Sequence, residues 1–124
     1  MLKIVLGLIL LFILLACMFV PVQICGNSMY PTFKDGEFYL GKRVYRKSKC
    51  KIGKVYVFRP PYSDREERFV IKRLAYIQNG KYFFLGDNSY DSYDSRYYGY
   101  VDSKNVVAQI LKEKRCEENG VQED

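Results

Sequence analysis

The 124-residue chain contains no histidine. That absence excludes a Ser–His–Asp triad and a Cys–His dyad within one chain. The four cysteines show no CxxC spacing, and without histidine a zinc site would need carboxylates. No metal or other cofactor is therefore expected. Charge is missing altogether from Ile4 to Val22, so that stretch is not available to a soluble core. Beyond it, alanine is scarce while Tyr, Phe and Val are common, a composition that favours strands over helices. No internal repeat or low-complexity tract interrupts the chain.

About 20 apolar residues are what a helix needs to cross a ~30 Å hydrocarbon layer, and the charge-free run has that length. A cleaved signal peptide has a shorter apolar region of ~7–15 residues ending in small side chains, whereas this run continues through Met18, Phe19 and Val20. Lipidation at Cys17 is a further alternative, but Leu14-Leu15-Ala16-Cys17 places Leu where a lipobox does not. The expected organisation is a membrane anchor over 1–22, a compact antiparallel β domain over 23–112 and an acidic tail over 113–124. Lys3 and the amino terminus mark the N-terminal flank as cytoplasmic, which puts the domain on the extracytoplasmic side of the cell membrane. The basic segment 41–54 pulls the other way, from a distance at which that bias fades.

Val22–Cys25 alternates like a short strand, and Gly26-Asn27 supplies turn chemistry before Ser28. Glu37–Val44 and Ile52–Phe58 alternate as strands, with the basic stretch between them expected to be a hairpin connection. A charged loop, Ser63–Arg68, leads to a strand over Phe69–Ile77. Asn79-Gly80 marks a tight hairpin into Lys81–Leu85, and Asn105–Lys112 forms the last strand. Residues 86–105, dense in Gly, Asp, Asn, Ser and Tyr, are expected to be an ordered loop.

A serine in this chain must lose its proton to a lysine or a carboxylate. An ordinary lysine, with a pKa near 10.4, is charged at neutral pH and cannot accept one; burial among apolar groups lowers that pKa. Lys72 is the lysine in such company, because on a strand it shares its face with Val70 and Leu74 while Arg73 and Ile71 take the other. The competing reading is a lysine whose stem packs and whose head reaches water. GDNSYDSYDSRYYG, residues 86–99, also stays open between a solvated loop and a polar scaffold in which Asp94 pairs with Arg96. It fails the EF-hand template, since Ser92 takes the glycine position counted from Asp87 and the terminal Glu is missing. The segment 41–54 holds seven basic residues and no acid. It is either a solvated hairpin or a surface for an acidic partner such as an anionic membrane. Nucleic acid is not an expected partner of a membrane-anchored outward domain.

Four motifs stand in order after the apolar run. They are Gly26-Asn27-Ser28-Met29-Tyr30-Pro31-Thr32, then Ile52–Pro60, then Ile71-Lys72-Arg73-Leu74, then Gly86-Asp87-Asn88 with Ser92-x-Asp94-Ser95-Arg96-Tyr97-Tyr98-Gly99. Together they resemble the type I signal peptidases, membrane-anchored Ser/Lys endopeptidases that cut signal peptides from exported proteins, over most of residues 1–112. The resemblance implies that family's β-rich core. It implies Ser28 as nucleophile, with its backbone N–H as oxyanion donor, and Lys72 as general base. Ser92 would hold the lysine amine, with Asp94, Arg96 and Arg73 bracing the site. It also implies preprotein signal peptides as partners, bound as an added strand touching Ile24, Met29 and Ile71. The chain departs from the family at Gly26, where some members carry a hydroxyl, and at Gly53-Lys54, where Gly-Asp is usual. From Leu74 to Gly86 there is no Pro-Gly-Asp element and no inserted domain. A dedicated processing peptidase of the conjugation-associated type and a non-catalytic tethered module are the alternatives. The oligomeric state, the role of Cys25, and whether Cys50 and Cys116 form a bridge stay open.

Overall fold

The computed structural model describes residues 1–62 and 69–112. The loop 63–68, the tail 113–124 and Cys116, considered above as a partner for Cys50, lie outside the described residues.

Helix α1 (Leu2–Met18) follows from the unbroken Leu/Ile run. Pro21 ends it, because the residue before a proline avoids helical dihedrals. Phe19 is already extended, with φ −115° and ψ 147°, and strand β1 (Phe19–Gln23) begins three residues before the expected Val22. Among the described residues no helix is long and apolar enough to cross a membrane, since the last part of the charge-free run is strand. β1 is an edge strand, the place in a sheet where a proline's missing N–H is tolerated.

Six more strands complete one antiparallel sheet: β2 (Phe38–Arg43), β3 (Val55–Phe58), β4 (Val70–Gln78), β5 (Lys81–Leu85), β6 (Val101–Asp102) and β7 (Val106–Ile110). The expected mainly β, antiparallel domain is what the chain forms. β4 and β5 meet at the Asn79-Gly80 turn, where φ is 52° and 74°, values that a two-residue hairpin requires.

One expectation is overturned. Segment 41–54 is no hairpin, because the sheet order is β1-β2-β7-β3-β4-β5-β6 and β7 stands between β2 and β3. Both pair antiparallel with β7, so β2 and β3 run in the same direction and need a crossover. The basic segment provides it, with a 3-10 turn at Lys47–Lys49. Alternation shows that a segment is a strand but carries no record of its neighbour.

β3 is buried along its whole length and feeds two cores. Tyr56 and Phe58 pack with Leu74, Tyr82, Phe84, Val101 and Val106. Val55 and Val57 pack on the other side with Ile24, Met29, Phe33, Ala108 and Ile110. β4 lies directly against this central strand, with Lys72 opposite Tyr56 and Arg73 opposite Val55.

Candidate active site

Ser28 rides on the loop between β1 and β2. Backbone bonds from Ile24 N to Glu37 O and from Gly36 N to Ile24 O, both 2.8 Å, pinch its neck. Phe33 N closes a turn onto Met29 O at 2.9 Å, and Met29 and Phe33 anchor that turn in the second core. Opposite it stands Lys72, 5% exposed, on a face shared with fully buried Leu74 and with Val70 packed against the first core. Lys72 Nζ lies 2.8 Å from Ser28 Oγ and 3.1 Å from the Ile71 carbonyl.

Burial lowers the Lys72 pKa to about 8, with nearby Asp94 opposing that shift. Desolvation therefore leaves an amine that loses its proton near neutral pH, in contact with a hydroxyl. Neutral, it can take the hydroxyl proton and leave an oxygen nucleophile.

Asp94 is fully buried, and the surrounding donors explain how a carboxylate is kept there. It accepts from Ser92 Oγ at 2.8 Å, Gly86 N at 3.0 Å, Arg96 N at 3.1 Å and Arg96 Nε at 2.9 Å. Burial alone would raise its pKa, but the Arg96 guanidinium and these donors outweigh that and hold it at about 2. Its bond to Arg96 N also caps the short helix α2 (Ser95–Tyr98), which ends at Gly99 with φ 81°. Ser92 was expected to hold the lysine amine. Its hydroxyl donates to Asp94, the bonds of the Lys72 amine go to Ser28 and the Ile71 carbonyl, and the Asp94 charge acts on Lys72.

We expect Asp94→Ala to lower unfolding stability by roughly 1–3 kcal/mol, because Ser92 Oγ and Gly86 N lose their acceptor while the exposed Arg96 guanidinium can turn to water. Denaturant unfolding measures this. The stabilisation that the low pKa represents is present above the ordinary carboxylate range and is lost as pH falls through about 2.

Arg73, on the other face of β4, makes a two-pronged bond to Asp87, Nε to Oδ1 at 2.8 Å and Nη2 to Oδ2 at 2.7 Å. Thr32 Oγ1 donates to the same carboxylate at 2.6 Å. Burial pushes the Asp87 pKa up, but Arg73 and Thr32 keep it below the usual carboxylate range. Asn88 adds two bonds, N to Ser28 O at 2.8 Å and Nδ2 to Asn27 O at 3.0 Å. Thr32, Asp87 and Asn88 thus clamp the Ser28 loop to the strand that carries Lys72. Their positions lie inside the sequence motifs, yet sequence reasoning gave them no role. The available signal was an acid at the end of an apolar strand, which needs a cation, with Arg73 on the face of β4 away from Lys72. Gly86 completes the clamp. A methyl there would press on Ser92 Oγ and lie 2.6 Å from Ser92 Cβ and 2.7 Å from Ser28 O.

Of the three side chains expected to touch a substrate, Ile71 is partly exposed. Ile24 and Met29 are 3% and 2% exposed. Inward-facing, they pack with Phe33 and Val55, so in this structure they support the site from beneath. The Ser28 N–H has no hydrogen-bond partner among the described residues. At Gly26 the backbone N–H donates to Asp35 Oδ1 at 2.7 Å, and no side chain stands there to supply a second donor. No group of acids and cysteines among the described residues is arranged to hold a metal ion.

The family model described as "Signal peptidase, peptidase S26" matches residues 1–77 and 72–112. The chain belongs to the signal peptidase family. Over 90 residues it is 52% identical to signal peptidase I of Buchnera aphidicola subsp. Baizongia pistaciae (strain Bp), covering 68% of this chain and 29% of that protein. Over 36 residues it is 47% identical to signal peptidase I of Buchnera aphidicola subsp. Acyrthosiphon pisum (strain APS), covering 29% of this chain and 12% of that protein. The chain spans less than a third of the length of these two signal peptidases.

Proposed function

We propose that the chain is a serine endopeptidase that removes N-terminal signal peptides from exported preproteins. The observation that carries this reading is the 2.8 Å contact between Ser28 Oγ and a buried lysine amine whose pKa is lowered to about 8. Neutral Lys72 takes the Ser28 proton as Oγ attacks the scissile carbonyl. The developing oxyanion accepts from the Ser28 N–H. Lys72, now an ammonium steadied by Asp94, hands its proton to the leaving amine. It then deprotonates the water that hydrolyses the acyl-enzyme. The substrate lies as an extended strand beside Ile71.

Helix α1 bears on localisation. Every residue of it from Leu2 to Ala16 is exposed, and a helix apolar on all sides belongs in protein or in lipid. At 1.5 Å per residue it is about 25 Å long, a few Å less than a typical hydrocarbon core, a mismatch that local thinning of the bilayer accommodates. In this reading α1 holds the domain at the extracytoplasmic face of the membrane with its N-terminus inside.

The test is a panel of preproteins presented to the full chain in detergent or lipid, with product masses read out. Cleavage on the carboxyl side of small residues at signal-peptide ends is expected. Cleavage of one substrate alone identifies a dedicated processing peptidase, and a chain inert towards the whole panel sinks the reading in favour of a non-catalytic module.

A further inference from the structure

The crossover between β2 and β3 builds something that the chemistry at Ser28 does not use. A cavity of about 270 Å³ opens there, lined by Lys42, Arg43, Arg46 and Lys49 with Tyr45 and Tyr56 among its walls. None of the four cations is ion-paired with a carboxylate among the described residues. All four side chains are exposed, so an anion entering the hollow meets a field of one sign, which attracts it.

The position of the cavity says which anion. Tyr45 Oη donates to the Cys17 carbonyl at 3.3 Å, one of the last carbonyls of α1, which have no partner within the helix. Lys42 stands opposite Phe19 in the β1–β2 ladder, one residue past the end of that helix. The cationic hollow is thus fastened to the point where the uncovered apolar helix ends. With α1 in a bilayer, that point lies at the headgroup layer, where phosphate is the abundant anion and the helix holds the cavity against it.

The geometry points to a binding site for the headgroup of an anionic glycerophospholipid, formed by Lys42, Arg43, Arg46 and Lys49 beside the C-terminal end of α1. This rests on α1 being the membrane anchor. The lipid phosphate enters the cavity, its acyl chains lie along α1, and the segment 41–54 sets how deep the domain sits. Each cation near a charged membrane surface contributes about a fivefold factor in affinity, screened by salt.

The experiment uses the full chain in phosphatidylcholine vesicles with trace spin-labelled phosphatidylglycerol or spin-labelled phosphatidylcholine, and reads the motionally restricted fraction of each. The wild-type chain is expected to prefer phosphatidylglycerol at least fivefold. The triple variant Lys42→Gln, Arg46→Gln, Lys49→Gln is expected to lose that preference. A charge-matched variant outside the segment and the cavity, Lys34→Gln, Arg59→Gln, Lys81→Gln, is expected to keep it, which separates a pocket from net charge. A preference that survives the first variant, or vanishes equally in both, overturns the proposal. So does a preference abolished by millimolar inorganic phosphate, which identifies a site for free anions. Flotation with pure phosphatidylcholine vesicles separates the two readings. A chain that does not float overturns the anchor and this proposal with it; one that floats and restricts both lipids equally overturns this proposal alone.

Discussion

Lys72→Ala is expected to lower the rate of preprotein cleavage by about 10²–10⁴-fold, the range for loss of a positioned general base. Ser28→Ala is expected to remove cleavage altogether, since no other hydroxyl contacts the Lys72 amine among the described residues. Both changes leave the two cores intact. The pH profile distinguishes a base from a mere neighbour. With its folded pKa lowered to about 8, Lys72 is about one-tenth neutral at pH 7. The wild-type rate should therefore climb with a single ionisation through about pH 8 and level off above it. The sign for stability follows from the same shift. Unfolding releases a lysine of ordinary pKa, so the unfolded chain binds more protons between about pH 8 and 10.5, and stability rises with pH across that window. Below it the buried amine costs roughly 3 kcal/mol, so Lys72→Met should stabilise the fold at pH 7 while destroying activity. A Lys72→Ala rate close to that of the wild type, or a wild-type rate flat from pH 6 to 10, would show that this amine is not the base.

Gly86→Ala is the second large effect expected, and it comes from a residue with no side chain. The added methyl meets the side chain of Ser92 and the Ser28 carbonyl at 2.7 Å. Ser92 is held by Asp94, and the carbonyl is backbone that already accepts from Asn88 N, so neither gives way cheaply. The nucleophile loop must move off the clamp. Overpacking of this kind costs about 1–3 kcal/mol, and a displacement near 1 Å at a reacting atom costs about 10²-fold in rate. Steady-state kcat/KM and thermal unfolding on the same sample measure the two effects together. Adding Ser92→Gly should not restore the rate, because the Ser28 carbonyl remains in the way. A Gly86→Ala chain with wild-type kcat/KM would show that the clamp does not position the nucleophile.

The parts of the site legible in the sequence are those that follow from local pattern. Lys72 could be found because i±2 neighbours share a strand face, and Val70 and Leu74 are apolar. Asp94 and Arg96, two residues apart in a loop, could be paired for the same local reason. What eluded the sequence is non-local. The insertion of β7 between β2 and β3 depends on pairing across the length of the chain, and alternation is silent about partners. The Thr32–Asp87–Arg73 contact joins three segments that only the fold brings together. The role of Ser92 towards the lysine amine is implied by the family resemblance alone. In the structure its hydroxyl donates to Asp94, whose burial demands donors. Ile24 and Met29 were read as facing a substrate, yet their side chains complete the core under Val55.

The placement of β7 has a consequence for assembly. Ser28 belongs to the β1–β2 half of the sheet and Lys72 to the half that begins with β3, and the strand hydrogen-bonded to both halves is the last described strand in chain order. While synthesis proceeds, the nucleophile and its base exist on separate hairpins with no ladder between them. In a chain lacking Val106–Ile110 the two halves would be joined only by contacts outside the strand ladders, such as Thr32–Asp87 and Asn88–Ser28, without the strand that pairs with both β2 and β3. The fit of Lys72 to Ser28 therefore draws on two distant parts of the chain: the clamp in its middle and the last described strand.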